Sequence, residues 1–284
     1  MSKLRIAIQK SGRLSADSLN VLSECGIRVK NGGKLKAEAA NFPLEALFLR
    51  DDDIPQYVAD NVADIGILGQ NVVIEKAKNV VVQKTLGFSK CRLSLAVKRE
   101  DEYTNTSWFE GKKIATSYPV ILSKYLQEKG VNASIEEISG SVEIAPGIGL
   151  ADGVCDIVST GSTLLTNGLK EVETVMKSEA VLVSSPNLST EKQALLDQLL
   201  FRLEAVQNAQ QNKYILLNAP NAKLNEISAL LPGMKSPTIL PLAQEGWSSL
   251  HSVVKEDEFW EVIDQLKGLG AQGILVCPIE KMIL

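Results

Sequence analysis

The residues best suited to chemistry lie in one stretch, Cys155-Asp156-Ile157-Val158-Ser159-Thr160-Gly161-Ser162-Thr163-Leu164. Val154 to Val158 is an apolar run with a single acid in it, the pattern of a short buried strand, and Leu164 and Leu165 open an apolar segment with the character of a helix. Only Ser, Thr and Gly lie between the two. A strand feeding such a turn at a helix N-terminus presents backbone N–H groups, hydroxyls and the positive end of a helix dipole, which together form a seat for a phosphate. An ordinary capped turn uses the same residues, because helix starts favour Ser and Thr. Asp156 tips the balance. A carboxylate beside a phosphate is unfavourable unless a sugar diol or a metal ion lies between them. Glu143, upstream and separated from Asp156 by an expected helix, can face the same cleft from a neighbouring strand end.

A second constellation follows the first expected strand, Leu4 to Ile8. In the turn Gln9-Lys10-Ser11-Gly12-Arg13-Leu14, Lys10 and Arg13 flank a glycine at a strand end, where open α/β sheets bind ligands. Two cations on a flexible backbone suit a polyphosphate, although a solvated basic turn has the same composition and no Walker spacing is present. Arg50 closes the strand Ala46–Arg50 and is a candidate substrate contact. Asp51, Asp52 and Asp53 start the next helix, where the dipole favours acids, and no metal is assigned to them. Gly147-Ile148-Gly149 lacks the third glycine and the strand–acid context of a dinucleotide fingerprint.

The elements that must position these residues alternate strand and helix, which predicts an α/β class. Ser15 is expected to cap the first helix and Gly26 to stop it. Further strands are expected at Ala63–Leu68, Arg92–Val97, Lys113–Ser117 and Ser134–Ile138, with a helix from Pro119 closed by Gly130. Val181–Ser184 is expected to return to the first lobe. Ser189 then caps a long helix with Leu195, Leu196, Leu199, Leu200, Leu203 and Val206 on one stripe, followed by a polar linker, Gln207–Lys213. The remainder reads βαββαβ, the ferredoxin-like order. The domains are therefore residues 1–90 with 176–210, residues 91–175, and residues 211–284.

At 284 residues the chain has room for two or three small domains. A net charge of −4 without a basic block argues against a nucleic-acid coat. Cys25, Cys91, Cys155 and Cys277 are scattered and form no CxxC pair, as expected of free thiols in a reducing compartment. No signal-peptide segment and no run of membrane-spanning length is seen, which predicts a cytoplasmic protein without a membrane partner. The sole histidine, His251, falls in the last domain, so His-based triads and metal sites are not expected in the main cleft.

The phosphate stretch, together with Gly140-Ser141-Val142-Glu143-Ile144-Ala145-Pro146 and Gly149-Leu150-Ala151-Asp152, resembles the phosphoribosyl-pyrophosphate motif of the ATP phosphoribosyltransferases. Ala7 to Leu14, Asp64-Ile65-Gly66-Ile67-Leu68-Gly69 and Ser236-Pro237-Thr238 resemble the same family, so the likeness spans the chain and includes the C-terminal domain of its long form. The resemblance implies a two-lobed core like that of periplasmic binding proteins, with an ACT-like ferredoxin domain behind it. It implies transfer of phosphoribose from phosphoribosyl pyrophosphate to N1 of the adenine of ATP, the opening step of histidine biosynthesis. Ser159, Thr160, Gly161, Ser162 and Thr163 would hold the 5-phosphate, and Asp156 and Glu143 the ribose hydroxyls. Lys10, Ser11, Gly12, Arg13, Arg50 and Arg92 would meet ATP or pyrophosphate. Mg²⁺ would enter through substrate phosphates. L-histidine would inhibit through Asn218 and Thr238, and dimers and hexamers would form. Two other readings remain open on the residues themselves: a two-lobed solute receptor without catalysis, and an amino-acid-responsive regulator, although no basic helix-turn-helix supports DNA binding.

Overall fold

Leu4, Ile6, Ala7 and Ile8 are fully buried, as expected of a strand covered on both faces, and the rest of the first sheet is arranged around them. The computed structural model describes residues 2–30 and 33–284. Their order begins β1 (Leu4–Gln9), α1 (Arg13–Glu24), β2 (Lys36–Glu38), β3 (Leu44–Leu49), α2 (Ile54–Ala59), β4 (Ile65–Gly69), α3 (Gln70–Lys76) and β5 (Val81–Thr85). It continues with β6 (Cys91–Lys98), β7 (Lys113–Thr116), α4 (Pro119–Lys129), β8 (Ser134–Glu137), β9 (Gly153–Val158), α5 (Ser162–Thr166) and β10 (Leu169–Ser178). Then come β11 (Ala180–Ser184), α6 (Thr190–Gln211), β12 (Asn212–Pro220), α7 (Leu224–Leu230), β13 (Thr238–Pro241), β14 (Trp247–Lys255), α8 (Glu256–Gly268) and β15 (Gln272–Pro278).

Two compact units divide at Leu196/Asp197, inside α6. The first contains two mixed sheets, ordered β2-β3-β1-β4-β11-β5 and β10-β6-β9-β7-β8. β1 runs parallel to β3 and β4, and β7 parallel to β8 and β9. The chain crosses between the sheets twice, from β5 to β6 and through Glu179 from β10 to β11. The crossings are hydrogen-bonded to each other: Leu86 N–H donates to Ala180 O at 2.9 Å, and Ala180 N–H to Phe88 O at 3.0 Å. β11 thus returns to the first sheet, antiparallel to β4, as the sequence predicts.

A buried acid links α3 of the first sheet to α4 of the second. Glu75 accepts from the N–H groups of Val120 and Ile121, at 2.9 and 3.0 Å. The first N–H groups of a helix have no intrahelical partner, and Pro119 in the first turn contributes none. One carboxylate therefore satisfies two otherwise orphaned donors at the positive end of the dipole.

In the second unit the sheet order is β13-β14-β12-β15, antiparallel throughout, which is the ferredoxin-like order. Ile215, Leu217, Ala219 and Leu250 form its core with Ile227 of α7 and Phe259 and Leu266 of α8.

Several local expectations are corrected. Helix α1 begins at Arg13 with Gly12 as its N-cap, and Ser15 is buried in the first turn instead of capping it. No α-helix lies between Glu143 and Asp156. Residues Val142–Ile144 form a 3-10 turn, and only turns follow, because Pro146, Gly147 and Gly149 interrupt helix propagation. Nor is there a polar linker at Gln207–Lys213: α6 runs to Gln211 and β12 starts at Asn212. Buried Ala205, Val206 and Ala209 extend the Leu196, Leu199, Leu203 stripe, which explains the longer helix.

Replacing Glu75 by Ala leaves the Val120 and Ile121 N–H groups without their acceptor. Urea unfolding of Glu75→Ala should show a loss of about 1–3 kcal/mol; an unchanged midpoint would show that the carboxylate contributes nothing to joining the sheets.

Candidate active site

The parallel strands of both sheets deliver their C-terminal ends to one cleft, as open α/β sheets do. A cavity of about 270 Å³ there is walled by Gln9, Arg13 and Asp51 from the first sheet and by Ile157 and Ser159 from the second. The turn after β1 is tied to the end of β3, since Lys10 N–H donates to Leu49 O at 2.7 Å. Lys10, Ser11, Gly12 and Arg50 are exposed beside this wall. Gly12 adopts φ +93°, a conformation that favours glycine. Arg13 lies 3.8 Å from Asp17, which also accepts from Ser89 at 2.8 Å.

The hydroxyl turn is built as its composition predicts. β9 ends at Val158 and α5 starts at Ser162, with Gly161 as N-cap at φ +82°. No side chain caps the first N–H groups of α5. Ser159, Thr160, Ser162 and Thr163 are exposed, and the Thr160 and Ser162 hydroxyls lie 3.1 Å apart. The turn therefore offers four hydroxyls and a helix end to solvent, a surface suited to an anion.

Asp156 lies just below it, partly buried. Val142 and Ala145 pack with Val154, Val158 and Leu164, which draws the Glu143 turn against β9. Burial, and secondarily the charge of Glu143, push the Asp156 carboxyl above the ordinary aspartate value, while the Ile157 N–H donated to it at 2.7 Å opposes the rise. Two carboxylates held this way gain from any ligand that supplies hydroxyl donors or a cation.

Arg92 is more constrained than the sequence suggests. Its guanidinium forks onto both oxygens of Glu171, each contact 2.5 Å, and its remaining nitrogen donates to Ser159 O at 3.3 Å. The pairing raises the Arg92 pKa and lowers that of Glu171. Arg92 thereby steadies the start of the hydroxyl turn.

Two contributors escaped the sequence reading. Glu171 lies on β10, a strand hidden by the mixed run Lys170-Glu171-Val172-Glu173-Thr174. Tyr118 follows β7; burial, then the charges of Asp156, Asp51 and Asp52, hold its hydroxyl neutral well above the usual tyrosine value. A tyrosine before a proline at a strand end was the only available signal. In the second unit, Asn218 and Thr238 share one sheet face on either side of β14, opposite Ser249 and His251 respectively.

The fold defines the class: a two-lobed α/β core of the periplasmic-binding-protein type, joined by two chain crossings, with a separate ferredoxin-like unit. A periplasmic sulfonate-binding protein from Methylobacillus flagellatus shares that core at TM-score 0.52 and 14% identity, over 74% of this chain and 70% of that one. The family is narrower. The profile "HisG: ATP phosphoribosyltransferase" matches residues 50–205, and "HisG, C-terminal domain" matches 209–281. ATP phosphoribosyltransferase of Cytophaga hutchinsonii is 62% identical over 281 residues, covering 99% of this chain and 98% of the relative. That of Bacteroides thetaiotaomicron is 60% identical over 282 residues, covering 99% and 100%. A solved ATP phosphoribosyl transferase (HisG:HisZ) complex from Thermotoga maritima matches at TM-score 0.60 and 28% identity, over 71% of this chain and 98% of that chain. The chain belongs to the ATP phosphoribosyltransferase family, and it is a transferase of histidine biosynthesis. The receptor reading therefore shares the fold but not the family.

Because the Asp156 pKa is raised, its ionised form is the one the fold disfavours, and the stability cost grows as pH rises through that raised value. Asp156→Asn should therefore leave the melting temperature at pH 7 equal or higher, with the gain vanishing below the ordinary aspartate pKa, while turnover falls by about 10²–10³-fold. Thermal melts against pH and steady-state kinetics check both; a mutant with wild-type turnover would remove Asp156 from the site.

Proposed function

We propose that this cleft catalyses attack by N1 of the adenine of ATP on C1 of phosphoribosyl pyrophosphate, with the C1–O bond breaking and pyrophosphate leaving with the electron pair. The observation that carries the reading is the partly buried Asp156 carboxylate, near enough to Glu143 to feel its charge and just below an exposed turn of hydroxyls. In it, Ser159, Thr160, Gly161, Ser162 and Thr163 bind the 5-phosphate, and Asp156 and Glu143 accept from the ribose hydroxyls. Their negative charge also favours the cationic ribosyl centre that develops at C1, so catalysis is by positioning and electrostatics. Lys10, Ser11, Gly12, Arg13, Arg50 and Arg92 meet the phosphates of ATP or the leaving group.

Mg²⁺ fits the donors available. Among the described residues no group of three or more His, Cys, Asp or Glu could hold a metal ion. Asp156 and Glu143 beside a phosphate turn do match the one or two carboxylates plus substrate phosphates that Mg²⁺ prefers. When bound, the ion neutralises phosphate charge.

The same reading divides the chain into a first lobe of residues 1–90 and 176–210, a second of 91–175, and a regulatory domain of 211–284. Inhibition by L-histidine through Asn218 and Thr238 is supported by their common face on the third sheet. Assembly as a homo-oligomer, dimer and hexamer, and a cytoplasmic location complete the proposal; no described helix is long and apolar enough to cross a membrane.

Mixing the protein with ATP, phosphoribosyl pyrophosphate and Mg²⁺ should release pyrophosphate, and the release should fall on adding histidine. Asn218→Ala should keep uninhibited turnover and raise the half-inhibiting histidine concentration about tenfold, the loss expected of one hydrogen-bonding side chain. Undiminished inhibition would remove Asn218 from the inhibitor site, and absence of pyrophosphate would contradict the activity.

A further inference from the structure

The two chain crossings bring three cations to one pocket. Lys90 ends the first crossing, Arg92 follows it on β6, and Lys177 lies directly opposite Arg92 on β10, just before the second. All three wall a cavity of about 420 Å³, together with Ser159 and a carboxylate-bearing residue, Glu179. That volume falls within the roughly 300–1,000 Å³ of small-molecule sites. Like charges opposite each other on antiparallel strands repel. Glu171 answers Arg92, but among the described residues neither Lys90 nor Lys177 has an ion pair, and both are exposed. Ser159 walls this cavity and the smaller one at the strand ends. A ligand anchored on the hydroxyl turn can therefore extend its other end among the three cations.

We propose that this pocket holds a polyphosphate chain, with Lys90 and Lys177 as binding residues alongside Arg92. The inference rests on the activity proposed above and deepens it. The chain is either the pyrophosphate end of the ribosyl donor or the triphosphate of the nucleotide. Ammonium groups on flexible stems act as point charges without a fixed fork, which suits a chain that must be released. Arg92 has a different part, because Glu171 and Ser159 O already fix its guanidinium.

The test titrates the full-length protein separately with inorganic pyrophosphate, ATP and ribose 5-phosphate by calorimetry. Lys90→Ala and Lys177→Ala should each weaken pyrophosphate, ATP or both about tenfold, the loss of one charge-assisted contact. Ribose 5-phosphate affinity and melting temperature should stay at wild-type values, and Lys177→Arg should recover most of the loss. Which polyphosphate is weakened identifies the occupant. Wild-type affinity of both variants for both polyphosphates overturns the inference, as does a wild-type protein that binds neither, or an equal loss of ribose 5-phosphate. Pyrophosphate release by the wild-type protein is measured alongside: if it persists, the proposed activity stands even when the pocket assignment falls, and if it is absent, the activity itself has failed.

Discussion

A carboxylate that burial and a neighbouring acid both push toward protonation is the constraint on which the cleft depends. Asp156 cannot escape it. It sits on β9, where Cys155 packs into one core and Val154 and Val158 into the other, so the strand holds it while Val142 and Ala145 bring Glu143 near. Sites that perturb acids in this way are where function concentrates.

The rest of the first unit gives that carboxylate an entrance. Parallel strands in two sheets end on one cleft, two hydrogen-bonded crossings set the sheets beside each other, and Glu75 ties α3 to α4. Arg92, forked by Glu171, anchors the first carbonyl of the hydroxyl turn. The turn is thus steadied from the strand side and left open on the side where an anion would approach. The same fold serves a sulfonate-binding protein; the catalytic difference must then lie in side chains at the strand ends.

Much of this could be read in the sequence because it is local. Short apolar runs gave β1, β3, β4 and β9, and small hydroxyl residues between a strand and a helix gave the exposed turn that joins them. The βαββαβ order of the last unit followed from alternation and turn residues. What was hidden depends on pairing across the chain. β10 carries Glu171 and Glu173 among its residues and is a strand because β6 lies beside it. β5 is exposed over half its length and is held by β11. The roles of Glu75, Glu171 and Tyr118 arise from partners far away in sequence, which periodicity does not report. The helix expected before Asp156 failed for a local reason: Pro146 and two glycines outweighed the apolar residues around them.

The most direct measurement is a crystal structure with phosphoribosyl pyrophosphate bound. The 5-phosphate is expected on the turn from Ser159 to Thr163, with the ribose hydroxyls on Asp156 and Glu143. A donor bound elsewhere, with both carboxylates facing away from the sugar, would contradict it.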